Sequence, residues 1–271
     1  MIITIIGTGN VAYQLAHRFI SKGAPIDLII GRRIIDDERR MPEKRKIRNL
    51  ESNIHRLSSN YAEISPQTDL IIIAVSDDAI VQVAKKLAPY VTPKTLVVHT
   101  SGTVLSKVLK PFFKNFGGLY PLQTFTKDNL TDFNSVPVFY NVTTDAPQTK
   151  NYYEKLIIEA ARLLSPKVYF LEDKDRLTLH VSAVFVNNFV NHLLGIAQKL
   201  LAETQIPFEV LMPLIRETVD KIQSQSADKV QTGPAKRGDV QTIEKHSDYL
   251  SEKNVLYKVI YDAITESIRK I

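Results

Sequence analysis

The 271-residue chain predicts an α/β N-terminal half, a doubly wound parallel sheet, followed by an all-α C-terminal half. Three observations carry this prediction. Short apolar, β-branched runs alternate with amphipathic stretches as far as Leu171. A G-x-G-x-x-A turn, Gly7, Gly9 and Ala12, joins the first run to the first amphipathic stretch. Beyond Leu171 only helical periodicity remains. Strand–helix–strand alternation implies parallel strands with helices on both faces. The expected domains are therefore 1–171 and 172–271.

The elements follow in order. Ile2–Ile6 is apolar throughout, as a strand buried on both faces should be. Val11, Leu15 and Phe19, with Ala12 and Ala16, form the apolar face of a helix that ends near Lys22-Gly23. Ile26–Ile30 is the next strand, and Asp69–Val75 is the strongest buried run in the chain. Ser76-Asp77-Asp78 offers N-cap and first-turn chemistry for the helix that follows. Thr95–Thr100 is a further strand, and "VPVFYNV" and "KVYFL" read as peripheral ones. A single long helix is expected from Asp173 to about Glu203, another from Pro207 to about Gln223, and two more near 239–250 and 254–269.

Composition narrows the function classes. With no cysteine, disulfides, thiolate catalysis and Cys-ligated metals are excluded, and no metal site is expected. The N-terminus enters a strand directly, with no basic leader or cleavage site, and no uninterrupted apolar run approaches ~20 residues. A cytoplasmic protein without a membrane span is the expectation. The net charge is +6, and Gly31–Arg56 holds nine Lys/Arg against five Asp/Glu, a net of +4. The acids interleave with the bases and no aromatic residue accompanies them. A solvated mixed-charge face is therefore expected there, and nucleic acid is not the expected partner.

The glycine turn has a specific physics. Gly7 permits a tight turn, Gly9 lets a pyrophosphate approach the backbone, and Ala12 keeps the helix close to the sheet. The backbone of Gly7, Thr8, Gly9, Asn10 and Val11 then presents free N–H groups and the positive helix end to phosphates. Where an NAD-binding chain would place an acid after the second strand, this one has Arg32 and Arg33. Arginine pairs with a ribose phosphate, so NADP is the expected cofactor.

With "GTGNVA", "AVSDDAI", "HTSG", "PLQTF", "LHVSAVFVNNF" and "TGPAKRGD" in place, nearly the whole chain resembles a known group. These are Rossmann-like oxidoreductases with a helical C-terminal domain of unknown function. The group is related to pyrroline-5-carboxylate reductase, deazaflavin-dependent NADP reductases and 6-phosphogluconate dehydrogenase. The resemblance implies a Rossmann domain, a helical domain like the 6-phosphogluconate dehydrogenase C-terminal domain, NADP binding, a reductase-like site between the domains and no particular substrate. One departure stands out: where the group carries histidine before "PLQTF", this chain has Tyr120, which weakens any proton-transfer role for that position.

Candidate chemistry gathers at strand ends. Val75 and Ser76 should flank the cofactor, and His99, Thr100 and Ser101 should border its nicotinamide. His99 is either a proton donor or a half-buried histidine held by backbone. Gln123 and Thr124 offer neutral hydrogen bonds to a substrate. His180 and Asn187, seven residues apart, share a helix face. The resemblance makes His180 the proton donor and Asn187 an orienting amide. In "TGPAKRGD", the glycines, Pro234 and Asp239 have plain turn and N-cap reasons. Thr232 and Arg237 remain as substrate candidates, Arg237 as a carboxylate clamp. The resulting expectation is an NADP-dependent oxidoreductase acting on a small C=O or C=N substrate, dimeric through its helical domain. The alternative is a module that senses NADP(H) without turnover.

Overall fold

A computed structural model of the chain describes residues 1–24, 26–31 and 54–270. Arg32, Arg33 and most of the basic segment lie outside the described residues. The chain forms two compact units, Met1–Val184 and Phe185–Ile271.

The first unit runs β1 (Ile3–Ile6), α1 (Asn10–Ser21), β2 (Ile26–Ile30), β3 (Ile54–Ser58), β4 (Leu70–Ile73), α2 (Ile80–Leu87), β5 (Leu96–His99), β6 (Asn115–Pro121), β7 (Val138–Thr144), α3 (Lys150–Leu164), β8 (Val168–Phe170) and α4 (Asp173–Ala183). Its sheet has the order β3-β2-β1-β4-β5-β6-β7-β8. Neighbours are parallel except β6 and β7, which pair antiparallel. The order reverses between β1 and β4, and a crevice at such a switch point is where open α/β sheets bind ligands.

Side-chain alternation builds a core on each face of the sheet. Ile3, Ile5, Ile72 and Val98 pack with Leu15 and Phe19 of α1 and Leu156 and Ile157 of α3. Ile6, Ile71, Ile73 and Val97 point the other way, onto Ile80, Ala84 and Leu87 of α2. A period of two along strands that are buried on both faces yields this pair of layers. The expected strands 2–6, 26–30, 69–75 and 95–100 stand with ends trimmed by a residue or two.

Three elements are additional to those expected from the sequence. β6 reads Asn-Phe-Gly-Gly-Leu-Tyr-Pro, and glycine and proline mask its strand character. Gly117 is required there, because a Cβ would lie 2.1 Å from the Asn141 carbonyl oxygen of β7. β3 is a polar edge strand with no apolar alternation. α3 buries Tyr153, Leu156, Ile157, Ala160, Ala161 and Leu164, a helical spacing that is plain in the sequence.

The second unit is helical. The long helix continues from α4 through a π-helical stretch, Val184–Phe189, into α5 (Val190–Leu201). Then come α6 (Met212–Ser224), the short α7 (Ala227–Val230) and α8 (Pro234–Arg237), α9 (Val240–Lys253) and α10 (Val255–Lys270). The expected domain boundary at Leu171 precedes α4, whereas the compact units divide after it. By length and composition, the 29-residue stretch Asp173–Leu201 is long and apolar enough to cross a membrane. The expectation of no span came from looking for unbroken apolar runs, and this stretch is interrupted by polar residues.

Candidate functional site

The turn after β1 is built for close approach. Gly7 has φ +132°, a conformation side chains avoid, and a Cβ there would lie 2.1 Å from the Ala74 carbonyl oxygen at the end of β4. Gly9, by contrast, faces open space: a Cβ would meet nothing within 4 Å. It is the N-cap of α1, with no side-chain capping hydrogen bond and no acid in the first turn. The first N–H groups of α1 therefore carry the positive helix end with no side chain of that turn to satisfy them. Thr8 packs on Gly31 at the end of β2, and Val75 lies beside Gly7. Ser76 is exposed and caps the following turn through its backbone only.

Asn10, exposed at the first position of α1, ties the helix to the segment after β6. Its amide donates to the Phe125 carbonyl at 2.9 Å. One turn on, buried Gln14 donates to the carbonyls of Thr126 and Asn129 and accepts the Thr131 N–H. Two polar side chains of α1 thus pin the segment that follows β6, which carries Gln123 and Thr124. Gln123 folds back so that its side-chain oxygen accepts the Thr124 N–H.

At the end of β5, His99 is fully buried. Its Nδ1 accepts the Ser101 N–H at 3.2 Å. Burial and the nearby Arg176 charge lower its pKa to about 4, against the weaker opposing influence of the Leu105 backbone, Asp173 and Asp77. A ring so shifted is neutral at physiological pH, and its Nδ1 holds the backbone of the loop after β5. Thr100 closes onto the sheet through its N–H to the Ile73 carbonyl. The Ser101 hydroxyl oxygen accepts the Thr103 and Val104 N–H groups, and the Thr103 hydroxyl donates to Asp77. The loop after β5 is thus tied to the loop after β4.

His180 reaches this same loop from α4. Its ring lies against Gly102, where a Cβ would be 2.4 Å from Nδ1. Nδ1 stands 2.9 Å from the Tyr120 hydroxyl, and the two rings meet edge to face. Tyr120 sits at the carboxyl end of β6, two positions beyond Gly118, the residue in register with His99. The position in which the resemblance expected histidine is therefore the partner of the expected proton donor. Sequence reading had the motif but no means of pairing residues sixty apart.

What aims His180 lies one helical turn earlier. Arg176 and His180 are four residues apart and share a face of α4. The Arg176 guanidinium is buried, donates to the Val104 carbonyl, and pairs with Asp173 at 2.9 Å. Asp173 also accepts from Asn141 at 2.6 Å and from the Ser106 hydroxyl at 2.8 Å. Asn141 in turn accepts the Gly118 N–H. Burial alone would raise the Asp173 pKa, but hydrogen bonds from Asn141 and Ser106 and the Arg176 charge hold it below the usual carboxylate range. Burial lowers the Arg176 pKa, with Asp173 opposing. This network fastens the first turns of α4 to β6, β7 and the loop after β5.

Other expected residues belong to the helical unit. Asn187 is exposed and lies in the π-helical stretch of the second unit. The expected face shared with His180 assumed an unbroken α-helix, and the helix is π-helical from Val184 to Phe189. Thr232, Gly233, Pro234 and Ala235 border an apolar hollow of about 320 Å³ in the helical unit, with Leu193 and Leu200 among its walls. Arg237 is exposed, and its Nε and Nη2 donate to Asp239 at 3.0 and 2.7 Å. Asp239 occupies the N-cap of α9, but its side chain makes no capping bond, because Arg237 engages it instead. Among the described residues no group of three His, Cys, Asp or Glu is placed to hold a metal ion.

Comparison with known proteins fits this geometry. No curated protein matches the chain in sequence. A Bacteroides fragilis protein assigned as an NADP oxidoreductase is 29% identical, with a TM-score of 0.83 over 99% of this chain and 98% of that one. At 14% identity, a reductive aminase from Aspergillus terreus, solved with NADPH and ethyl levulinate, shares the fold with a TM-score of 0.66 over 98% of this chain and 92% of that one. Plasmodium falciparum pyrroline carboxylate reductase, solved with NADP bound, does so at 13% identity and a TM-score of 0.55, over 100% and 99% of the two chains. Residues 2–102 match the family described as NADP oxidoreductase, coenzyme F420-dependent, and residues 142–268 match the domain of unknown function DUF2520. The chain thus carries an N-terminal part that matches the NADP oxidoreductase model and a C-terminal part that matches DUF2520, and over nearly its whole length it is similar to NADP oxidoreductases.

Proposed function

We propose that the protein reduces or oxidises a small C=O or C=N compound with NADP(H), using His180 as the proton donor. The observation that carries this reading is the turn at the β1–β4 switch point, where α1 opens uncapped behind Gly7 and the space at Gly9 is empty. NADPH, when bound, supplies the hydride. The chain's own residues bind and orient: the α1 N-terminus takes the pyrophosphate, and Arg32 and Arg33, directly after β2 and Gly31, take the ribose phosphate. Val75, Ser76 and the loop of Thr100 and Ser101 border the nicotinamide, Gln123 and Thr124 supply neutral hydrogen bonds to the substrate, and His180 gives up the proton. The bound carbonyl ester and the cofactors in the structurally similar reductases support a C=O or C=N substrate here.

The test is a titration of cofactor fluorescence with NADPH and with NADH. NADPH should bind at least about tenfold more tightly, and Arg32→Ala with Arg33→Ala should remove most of that preference. Equal or tighter NADH binding would end the cofactor assignment. NADPH binding without oxidation against a panel of keto acids, aldehydes and cyclic imines would favour the sensing module over the enzyme.

We also read the helical unit as the contact with a second copy of the chain, in a cytoplasmic homodimer. Phe185 is 62% exposed, Val186 74% and Leu256 68%, an apolar surface of the kind that oligomers cover. A membrane does not suit the same stretch, because the first turns of the helix are fastened to the sheet through Arg176 and His180. Residues 185–201 that remain would span only about 26 Å of a bilayer core of about 30 Å. Light scattering at micromolar concentration should return twice the mass of 30.7 kDa; a monomer would remove this part of the proposal.

A further inference from the structure

We infer that Tyr120 is a positioning residue for His180, fixing which imidazole nitrogen carries the proton in the neutral ring. The inference rests on the oxidoreductase reading above and deepens it. Three observations combine. The Tyr120 hydroxyl and His180 Nδ1 are 2.9 Å apart. Tyr120 is only 8% exposed, and Nδ1 is the acceptor within its reach among the described residues. Gly102 lies close against the same part of the ring, where a Cβ would come within 2.4 Å of Nδ1 and 2.7 Å of Cγ.

The direction of the hydrogen bond follows from satisfaction. If Nδ1–H donated to the tyrosine oxygen, the buried Tyr120 O–H would be left without an acceptor, which is costly. If Tyr120 donates to Nδ1, both groups are satisfied and the ring proton resides on Nε2. Burial raises the Tyr120 pKa, with the Arg176 charge opposing it and Asp77 adding to it, so the hydroxyl keeps its proton at neutral pH. When the ring is protonated at both nitrogens, the same hydroxyl oxygen accepts from Nδ1, since a hydroxyl both donates and accepts. The contact therefore survives both charge states: the neutral ring carries its proton on Nε2, and the second proton of the imidazolium sits on Nδ1 against the hydroxyl oxygen. In reduction, the substrate carbon gains the hydride and its oxygen or nitrogen takes the Nε2 proton. The imidazolium becomes a neutral ring whose remaining proton is on Nδ1, donated to the hydroxyl oxygen; gain of a solvent proton at Nε2 and loss of the Nδ1 proton then restore the resting Nε2–H form. Tyr120 lends no proton of its own, because its burial opposes a tyrosinate.

The test needs no substrate. In protein labelled with ¹⁵N-histidine, the His180 resonances, assigned through His180→Gln, report which nitrogen is protonated in the neutral ring. The wild type should be almost wholly the Nε2–H form. Tyr120→Phe should shift the ratio toward Nδ1–H by about fivefold while NADPH affinity changes by less than about twofold. Gly102→Ala is the second variant: it leaves Tyr120 intact but displaces the ring, and should shift the ratio in the same direction. An Nδ1–H majority in the wild type, or a ratio untouched by Tyr120→Phe, overturns the inference. Failure of NADPH to bind the wild type would instead break the oxidoreductase reading, and the nitrogen ratio would still decide whether Tyr120 sets the tautomer.

Discussion

Gly9→Asp should abolish NADPH binding while leaving the protein as stable as before, or slightly more so. The two effects have opposite signs for a physical reason. Gly9 has φ −76° and ψ −175°, available to any residue, and a Cβ there meets nothing within 4 Å. An aspartate at this N-cap would accept the free N–H groups of α1 and complement the helix dipole, a gain of a few tenths to about 1 kcal/mol. The same carboxylate would occupy the place of the pyrophosphate. Two like charges about 4 Å apart in a partly shielded site repel by about 4 kcal/mol, which corresponds to a loss of affinity of at least about a hundredfold. Thermal melting and the cofactor titration, run side by side, check both halves. A variant that titrates like the wild type would show that phosphates do not sit on this helix.

Asp173→Asn should be the most damaging conservative change in the sheet unit. Arg176 has a side chain 3% exposed, and Asp173, itself 23% exposed, is the carboxylate paired with it. Removing that charge while keeping the shape leaves a buried guanidinium uncompensated. Breaking such a pair costs about 3–5 kcal/mol, and the partial exposure of Asp173 points to the lower end. A loss of about 3 kcal/mol lowers the first melting transition by roughly 6–12 °C. Adding Arg176→Met should recover part of the loss, because the stranded charge is then gone as well. If Asp173→Asn melts with the wild type, the network does not hold α4.

What the sequence disclosed, and what it hid, divides along physical lines. β1, β4 and the glycine turn were legible because their signals are local: apolar runs buried on both faces, and residues whose backbone needs are written in their type. β6 was hidden because glycine is there to admit the Asn141 carbonyl, a reason that lies in a strand more than twenty residues away. The π turn at Val184–Phe189 was hidden as well, since nothing in "VFVNNF" announces a change of helical pitch. Asn187 lies within that turn. Arg237 looked free because a nearby acid can be both an N-cap and a salt-bridge partner, and here it is the second. His99 was legible only as a pair of alternatives, since burial decides between them. The Tyr120–His180 contact joins two strand-and-helix termini sixty residues apart, and spacing along the chain does not encode such a meeting.

That separation has a kinetic consequence. The glycine turn needs only β1, α1, β2 and β4, all of which are complete by Ile73. The Tyr120–His180 contact needs β6, its antiparallel partner β7, the α3 crossover, β8 and the anchored start of α4. Contacts between distant parts of a chain repay their loop-closure entropy late in folding. During synthesis the nucleotide cradle can therefore be complete before residue 180 has left the ribosome. The proton-handling pair is assembled last, so its formation reports that the whole sheet has closed.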